Sequence, residues 1–211
     1  MVLKLYGGSM STCTRRVAVV AREAGVPYEL VVVDHRNKQH KTPEYLKHQP
    51  FGLIPYIQDE DGFELYESRA ICRYIATLES AKDTTLVPKG RKANALFEQA
   101  MSIEQNNFDP LASAIAKEKV FNPMNGIQPN EAHVAELVEQ LKSKLDVYDV
   151  ILGKQKYLAG NEITLADLFH LSFGSLLVAT GLGLFEERPN VSRWWTDITT
   201  RPSWLAVKDG A

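Results

Sequence analysis

The chain has 211 residues, of which 45% are apolar and 24% are charged, and its formal net charge is −2. These values are typical of a folded globular protein, and without a basic excess we expect no nucleic-acid partner. No stretch reaches the ~18 apolar residues of a membrane span, so we expect no membrane partner. The apolar patch in residues 1–9 is interrupted by Lys4 and is too short for the core of a signal peptide, so we expect no secretion signal. The two cysteines, Cys13 and Cys72, are too few for a disulfide framework, which favours a reducing, cytoplasmic location.

The first part of the chain alternates strand and helix patterns. Residues 2–6 predict a strand that runs into two glycines, and the apolar spacing after Ser11 predicts a helix that stops near Gly25. The β-branched run 28–33 predicts a central strand that is buried on both faces. The polar stretch after it predicts at most a short helix at residues 42–47.

A hairpin and a third helix follow. Residues 55–58 and 64–66 predict two strands, and the residues 59–62 between them predict a turn. Ser68 is predicted to cap the next helix. The resulting order, βαβ, a short helix and then ββα, predicts an α/β domain over residues 1–81.

Only helical patterns appear beyond a boundary near residues 80–88. Apolar stripes predict amphipathic helices around residues 93–101 and 134–148. Thr164 and Asp167 have the spacing of a capping box, at the start of a helix that is apolar nearly all round. Such a helix belongs in the middle of a bundle, so residues 89–211 predict an all-α domain.

Serines precede two of the predicted helices in the first domain. At Ser11, free backbone N–H groups and the helix dipole favour negative charge, and the hydroxyl can donate a hydrogen bond to a thiolate. At the second helix, Ser68 can hold a carboxylate while Glu67 pairs with an ammonium group, which together describe an amino-acid head group. An ordinary helix cap remains the alternative at both positions.

Other candidate sites are weaker. His40 and Lys41 lie in an irregular segment and can donate to a second carboxylate, although solvated loop charges are the simpler interpretation. The five histidines show no metal-site spacing. The glycines after the first strand lack the rest of a phosphate-binding loop. We therefore expect no metal and no nucleotide cofactor.

Several motifs, taken together, resemble the soluble glutathione transferases and, within them, the phi class. They are residues 11–17 (STCTRRV), 40–41 (HK), 49–55 (QPFGLIP), 67–71 (ESRAI) and 163–167 (ITLAD). The resemblance extends over essentially the whole chain. It implies a thioredoxin-like N-terminal domain that binds glutathione, and a helical C-terminal domain that completes a pocket for a hydrophobic electrophile. It also implies a homodimer that uses glutathione as co-substrate and needs no other cofactor.

The resemblance assigns the residues around the glutathione cysteine. Ser11 would donate a hydrogen bond to the sulfur, and Thr12 beside it belongs to the glutathione-binding set. The backbone of Ile54 would pair with the cysteinyl unit, just before a cis proline at Pro55. Leu53 stands where the family commonly has a polar side chain that helps to hold the glycine end. Without one charge-assisted bond, glutathione binding would weaken by about 1.5 to 3 kcal/mol.

The two ends of glutathione are assigned in the same way. Glu67 and Ser68 match the positions that take the γ-glutamyl head, and His40 and Lys41 match those that hold the glycine carboxylate. The expected reaction is attack of the thiolate on an electrophilic carbon, with hydroperoxide reduction as a second possibility. Two alternatives remain open: thiol transfer through Cys13, and a non-catalytic carrier of hydrophobic ligands with the same fold.

Overall fold

A computed structural model describes residues 2–81 and 84–211. The chain forms two compact units, one of Met1–Val87 together with Thr200–Ala211, the other of Pro88–Thr199. Met1, at the start of the predicted first domain, and residues 82–83, in the predicted boundary, lie outside the described residues. The first unit therefore contains a C-terminal segment that the sequence had assigned to the helical domain.

The first unit is built on a four-stranded sheet with the order β2-β1-β3-β4. Strand β1 is parallel to β2 and antiparallel to β3, which is antiparallel to β4. The predicted order of elements is confirmed, with these bounds: β1 (Leu3–Gly7), α1 (Thr12–Glu23), β2 (Tyr28–Val32), α2 (Pro43–His48), β3 (Tyr56–Gln58), β4 (Glu64–Tyr66) and α3 (Ser68–Thr77).

Two details of the sequence prediction are wrong. Strand β2 is not central, because it lies at the end of the strand order, and its residue Val32 is largely exposed. A β-branched run indicates a strand but not its place in the sheet. The N-cap of α3 is Glu67, which has a positive φ of 71°, and Ser68 is the first helical residue.

The regular elements described in the second unit are helices. They are α4 (Arg91–Ile103), a π-helical stretch (Glu104–Phe108), α5 (Asp109–Ala116), a second π-helical stretch (Lys117–Phe121), α6 (Asn122–Met124), α7 (Glu131–Leu152), α8 (Leu165–Leu168), α9 (His170–Ala179) and α10 (Pro189–Thr199). An isolated β-bridge joins Tyr157 and Gly160 in the loop after α7. Each π-helical stretch ends two residues before a proline, Pro110 or Pro123. Proline has no N–H for the α-helical ladder, so the hydrogen-bonding pattern widens there.

The predicted capping box is present, and its carboxylate lies at the centre of the second unit. Thr164 and Asp167 make both reciprocal hydrogen bonds. The buried Asp167 also accepts from the N–H of Leu158 at 2.9 Å and from Trp194 Nε1 at 3.0 Å. The single helix predicted from Thr164 is divided at Phe169 into α8 and α9.

The segment after α10 packs against α1 through α11 (Pro202–Leu205). Arg201 forms a salt bridge with Glu23 at the end of α1. Arg15 Nη1 donates to the Lys208 carbonyl at 2.7 Å, and the Trp204 ring is buried beside the same guanidinium. These contacts explain why the segment belongs to the first unit. Among the described residues, no helix combines the length and the hydropathy that a bilayer span requires.

Candidate functional site

The predicted site residues lie on segments that leave the sheet at one end. Gly7 at the end of β1 is in register with Val32 at the end of β2. Tyr6 is opposite Tyr56 at the start of β3, and Tyr56 is opposite Tyr66 at the end of β4. Four chain segments therefore converge at this end. They carry Ser11, Thr12, His40, Lys41, Leu53, Ile54, Pro55, Glu67 and Ser68.

Ser11 is the N-cap of α1. It has an extended backbone, and its Oγ accepts from the N–H of Thr14 at 3.4 Å. Thr12 is the first helical residue. The loop before Ser11 is tight, because a Cβ at Gly7 would lie only 2.4 Å from Thr14 Oγ1. Since the Ser11 oxygen is the acceptor in its cap bond, the hydroxyl proton remains available for an external acceptor.

The loop before β3 lies beside the Ser11 loop. The Ile54-Pro55 peptide is cis, as the resemblance implied. Both backbone polar groups of Leu53 are held, since its carbonyl accepts from Tyr45 Oη at 2.7 Å and its N–H donates to Gln49 Oε1 at 3.1 Å. Burial raises the pKa of Tyr45 to about 12, which keeps the phenol protonated as a donor. The Leu53 side chain is 55% exposed.

The start of α3 is tied to α1 by a buried arginine. Arg16 Nη1 donates to Ser68 Oγ at 3.1 Å and lies 3.7 Å from Cys13 Sγ. Ser68 is itself buried, whereas Glu67 is exposed and has a strained backbone. The two helix starts that the sequence singled out are therefore connected through one guanidinium.

His40 and Lys41 lie next to the loop before β3. His40 is only 6% exposed, stacks on His35 at 4.0 Å, and its Nδ1 has no hydrogen-bond partner among the described residues. Burial, followed by the charges of His35 and Lys41, lowers the pKa of His40 and favours its neutral form. Lys41 Nζ donates to the Phe51 carbonyl at 3.4 Å. A Cβ at Gly52 would lie 2.9 Å from the His40 carbonyl, so the two loops touch.

Three residues that support this site were missed by the sequence analysis: Arg16, Tyr45 and Gln49. A signal existed for Arg16, because it interrupts the apolar pattern of α1, and a charged residue in a buried helix needs a partner. The sequence analysis gave no role to Tyr45 or to Gln49, although Gln49 begins the 49–55 motif, because apolar periodicity does not reveal side-chain bonds to the backbone of Leu53. Within residues 2–81 and 84–211, no cluster of His, Cys, Asp or Glu is suited to hold a metal ion.

The sheet, the cis proline and the helix start at Ser11 define a thioredoxin-like first unit, and the chain joins it to a helical second unit. The family model "Glutathione S-transferase, N-terminal domain" matches residues 1–77, and "Glutathione S-transferase, C-terminal domain" matches residues 108–202. An Arabidopsis thaliana glutathione S-transferase is 46% identical over 92% of this chain and 90% of its own length.

Solved structures give the same result. Glutathione transferase F2 from Populus trichocarpa superimposes with a TM-score of 0.92 at 38% identity, covering 98% of this chain and 97% of its own. Glutathione S-transferase I from maize, in complex with an atrazine–glutathione conjugate, gives 0.90 at 35% identity, covering 98% and 96%. The chain belongs to the glutathione S-transferases, and its relatives are phi-class enzymes.

Proposed function

We propose that the protein transfers glutathione to hydrophobic electrophiles, with the Ser11 hydroxyl donating a hydrogen bond to the glutathione thiolate. The observation that carries this proposal is the geometry of the cap. Ser11 Oγ accepts from the Thr14 N–H at 3.4 Å, and so its own proton is free at the N-terminus of α1. A thiolate placed there gains both the hydroxyl bond and the helix dipole.

The size of this effect is sufficient for the chemistry. A cysteine thiol with a pKa near ~8.5 is only a few per cent ionised at neutral pH. Lowering that pKa by two units needs about 2.7 kcal/mol of preference for the thiolate. One charge-assisted hydrogen bond contributes about 1.5 to 3 kcal/mol, and a helix N-terminus adds about 0.3 to 1 kcal/mol. Ser11 therefore need not ionise.

The rest of the site supports one orientation of glutathione. We assign the γ-glutamyl head to Glu67 and Ser68, because they stand at the start of a second helix. The cysteinyl backbone pairs with Ile54, next to Pro55, beside the Ser11 loop. Thr12 contributes the first helical N–H of α1.

The glycine carboxylate is assigned to His40 and Lys41. The unpartnered Nδ1 of His40 supports this assignment, since a buried polar nitrogen without a partner is costly and a carboxylate would satisfy it. The Leu53 side chain offers no donor, so these two residues hold the glycine end without its help. Glutathione is the co-substrate, and the proposal includes no other cofactor.

The second substrate is proposed to be an apolar electrophile, with hydroperoxides as a further class. Support comes from the maize relative, whose structure contains an atrazine–glutathione conjugate. With an aryl halide the thiolate attacks carbon and the halide departs with the bonding electrons, whereas with an isothiocyanate the thiolate adds to the central carbon and the nitrogen takes up a proton. A cytoplasmic location stays a prediction from the cysteine content.

We also propose that two copies of the chain associate. In the second unit, Leu96 on α4 and Val147 and Val150 on α7 are large apolar side chains that are mostly exposed to solvent. Contiguous exposed apolar surface is typical of protein interfaces, and we propose that these three side chains lie within such a surface. A second copy of the chain is the proposed occupant, and sedimentation velocity is the direct test.

The function is tested by measuring glutathione conjugation of aryl halides and isothiocyanates, with a hydroperoxide included, for the parent, Ser11→Ala and Cys13→Ser. We expect Ser11→Ala to lose about 10- to 100-fold in kcat/KM, which is the value of one charge-assisted bond. Cys13→Ser is the matched control and should keep its activity. Loss of activity in Cys13→Ser would favour thiol transfer, and ligand binding without turnover in the parent would favour a carrier.

A further inference from the structure

A buried guanidinium connects the two helices that begin at the proposed glutathione site. Arg16 on α1 is 1% exposed, and its Nη1 lies 3.1 Å from Ser68 Oγ at the start of α3. The same nitrogen lies 3.7 Å from Cys13 Sγ. Burying a guanidinium carries a large desolvation cost, so a function at this position would explain its presence. Its hydrogen bond to Ser68 connects it to the proposed site.

The donor chemistry of this contact fixes the role of the serine hydroxyl. A guanidinium has only N–H donors, so Ser68 Oγ must be the acceptor in its bond with Arg16. The single proton of the hydroxyl is then directed to another acceptor. The positive charge also polarises the O–H bond and makes it a better donor to an anion.

We infer that Arg16 is a positioning residue for the α-carboxylate of the γ-glutamyl group of glutathione, acting through Ser68. This inference rests on the proposed function, in which Ser68 holds that carboxylate. Arg16 would orient the Ser68 hydroxyl, and its charge would attract the carboxylate. Because thiol activation is assigned to Ser11, loss of Arg16 should weaken glutathione binding and leave the pH profile of kcat unchanged.

The chain contains a matched control in the preceding residue. Arg15 is also on α1 and is 4% exposed. Its Nη1 donates to the Lys208 carbonyl, and its guanidinium lies over the Trp204 ring. Arg15→Gln therefore removes a buried guanidinium from the same helix without touching Ser68, and its effect should be confined to stability.

The experiment compares two thiol substrates: glutathione, and 4-aminobutyryl-cysteinyl-glycine, which is glutathione without its α-carboxylate. For the parent, kcat/KM should be higher with glutathione. In Arg16→Gln we expect KM for glutathione to rise, so that kcat/KM for glutathione falls about tenfold or more, which corresponds to one charge-assisted bond. The kcat/KM for the analogue should change little. Arg15→Gln should keep the parental preference between the two thiols while lowering the thermal midpoint.

Each outcome decides the question. Equal losses for both thiols in Arg16→Gln, or an unchanged preference, would overturn the inference and leave Arg16 a structural residue. If the parent itself does not prefer glutathione, the assignment of the carboxylate to Ser68 fails and the inference falls with it. Should Arg16→Gln not fold, Arg16→Lys takes its place, because lysine keeps the charge but not the planar fork. A reduced preference in Arg16→Lys would support the inference, and a parental preference would overturn it.

Discussion

Replacing Asp167 with asparagine changes one atom of a carboxylate that accepts four hydrogen bonds in the second unit. One oxygen accepts from the Leu158 N–H and Trp194 Nε1, and the other accepts from the N–H and hydroxyl of Thr164. An asparagine amide has one oxygen, so its NH₂ group must face one of the two donor pairs. Facing Leu158 and Trp194, it would oppose two N–H donors; facing Thr164, it would oppose the backbone N–H, while the hydroxyl could turn to accept from it. At least one N–H donor loses its acceptor, and the remaining bonds lose a charged partner.

The magnitude follows from these changes. A lost bond to the charged acceptor contributed about 1.5 to 3 kcal/mol, and each remaining bond falls towards the ~1 kcal/mol of a neutral pair, so the loss is about 3 kcal/mol or more. Burial raises the pKa of the Asp167 carboxyl, and the four donors act against that rise. The neutral amide avoids the desolvation cost of the charge, which moves the expected loss to the lower end, about 3 kcal/mol. Since whole proteins are stable by about 5 to 15 kcal/mol, this is a large effect.

Urea unfolding followed by tryptophan fluorescence measures the change, because Trp194 is one of the donors. Thr164→Val is the comparison variant, since it leaves the carboxylate in place and removes the two bonds of the Thr164 hydroxyl, its donation to Asp167 and its capping bond from the Asp167 N–H, and should lose about 1 to 2 kcal/mol. An unfolding free energy for Asp167→Asn within about 1 kcal/mol of the parent would refute the assignment of four charge-assisted bonds.

Two other predictions concern the first unit. Burial tends to raise the pKa of Glu23, but bonds from Arg201 and Ser203 outweigh it and lower the pKa. The contribution of the ionised Glu23 carboxylate to stability should be complete above the ordinary glutamate pKa and should be lost as the pH falls through its lowered pKa in the folded protein. Glu23→Gln should therefore flatten the acid side of a curve of Tm against pH. Tyr45→Phe removes the donor to the Leu53 carbonyl and should raise KM for glutathione several-fold with little change in kcat. Steady-state kinetics tests it, and an unchanged KM would contradict the positioning role.

The features that could be predicted from the sequence are those set by short spacing. The capping box is such a case, because Thr164 and Asp167 are three residues apart and interact within one helical turn. The strand and helix order of the first unit is another, since Gly and Pro mark its turns. The resemblance also anticipated the cis peptide at Pro55, which composition and periodicity could not indicate.

The features that could not be predicted depend on contacts between distant parts of the chain. Arg16 reaches Ser68 only because α1 packs on α3. Strand β2 lies at the edge of the sheet because its neighbour β1 pairs with β3 on the other side. Its β-branched residues would suit a central strand equally well, so they do not indicate its position. The π-helical stretch before Pro110 is set by the hydrogen-bonding ladder, which a pattern of apolar residues does not describe.

The return of Thr200–Ala211 to α1 has a consequence for how the protein is made. Domains generally fold as units while the ribosome delivers the chain from its N-terminus. Here the helical unit, Pro88–Thr199, has been synthesised in full before the segment that completes the first unit is added. Until then Glu23 and Arg15 lack the partners that they have in the finished protein. The unit that carries Ser11 begins synthesis first and is the last to be completed.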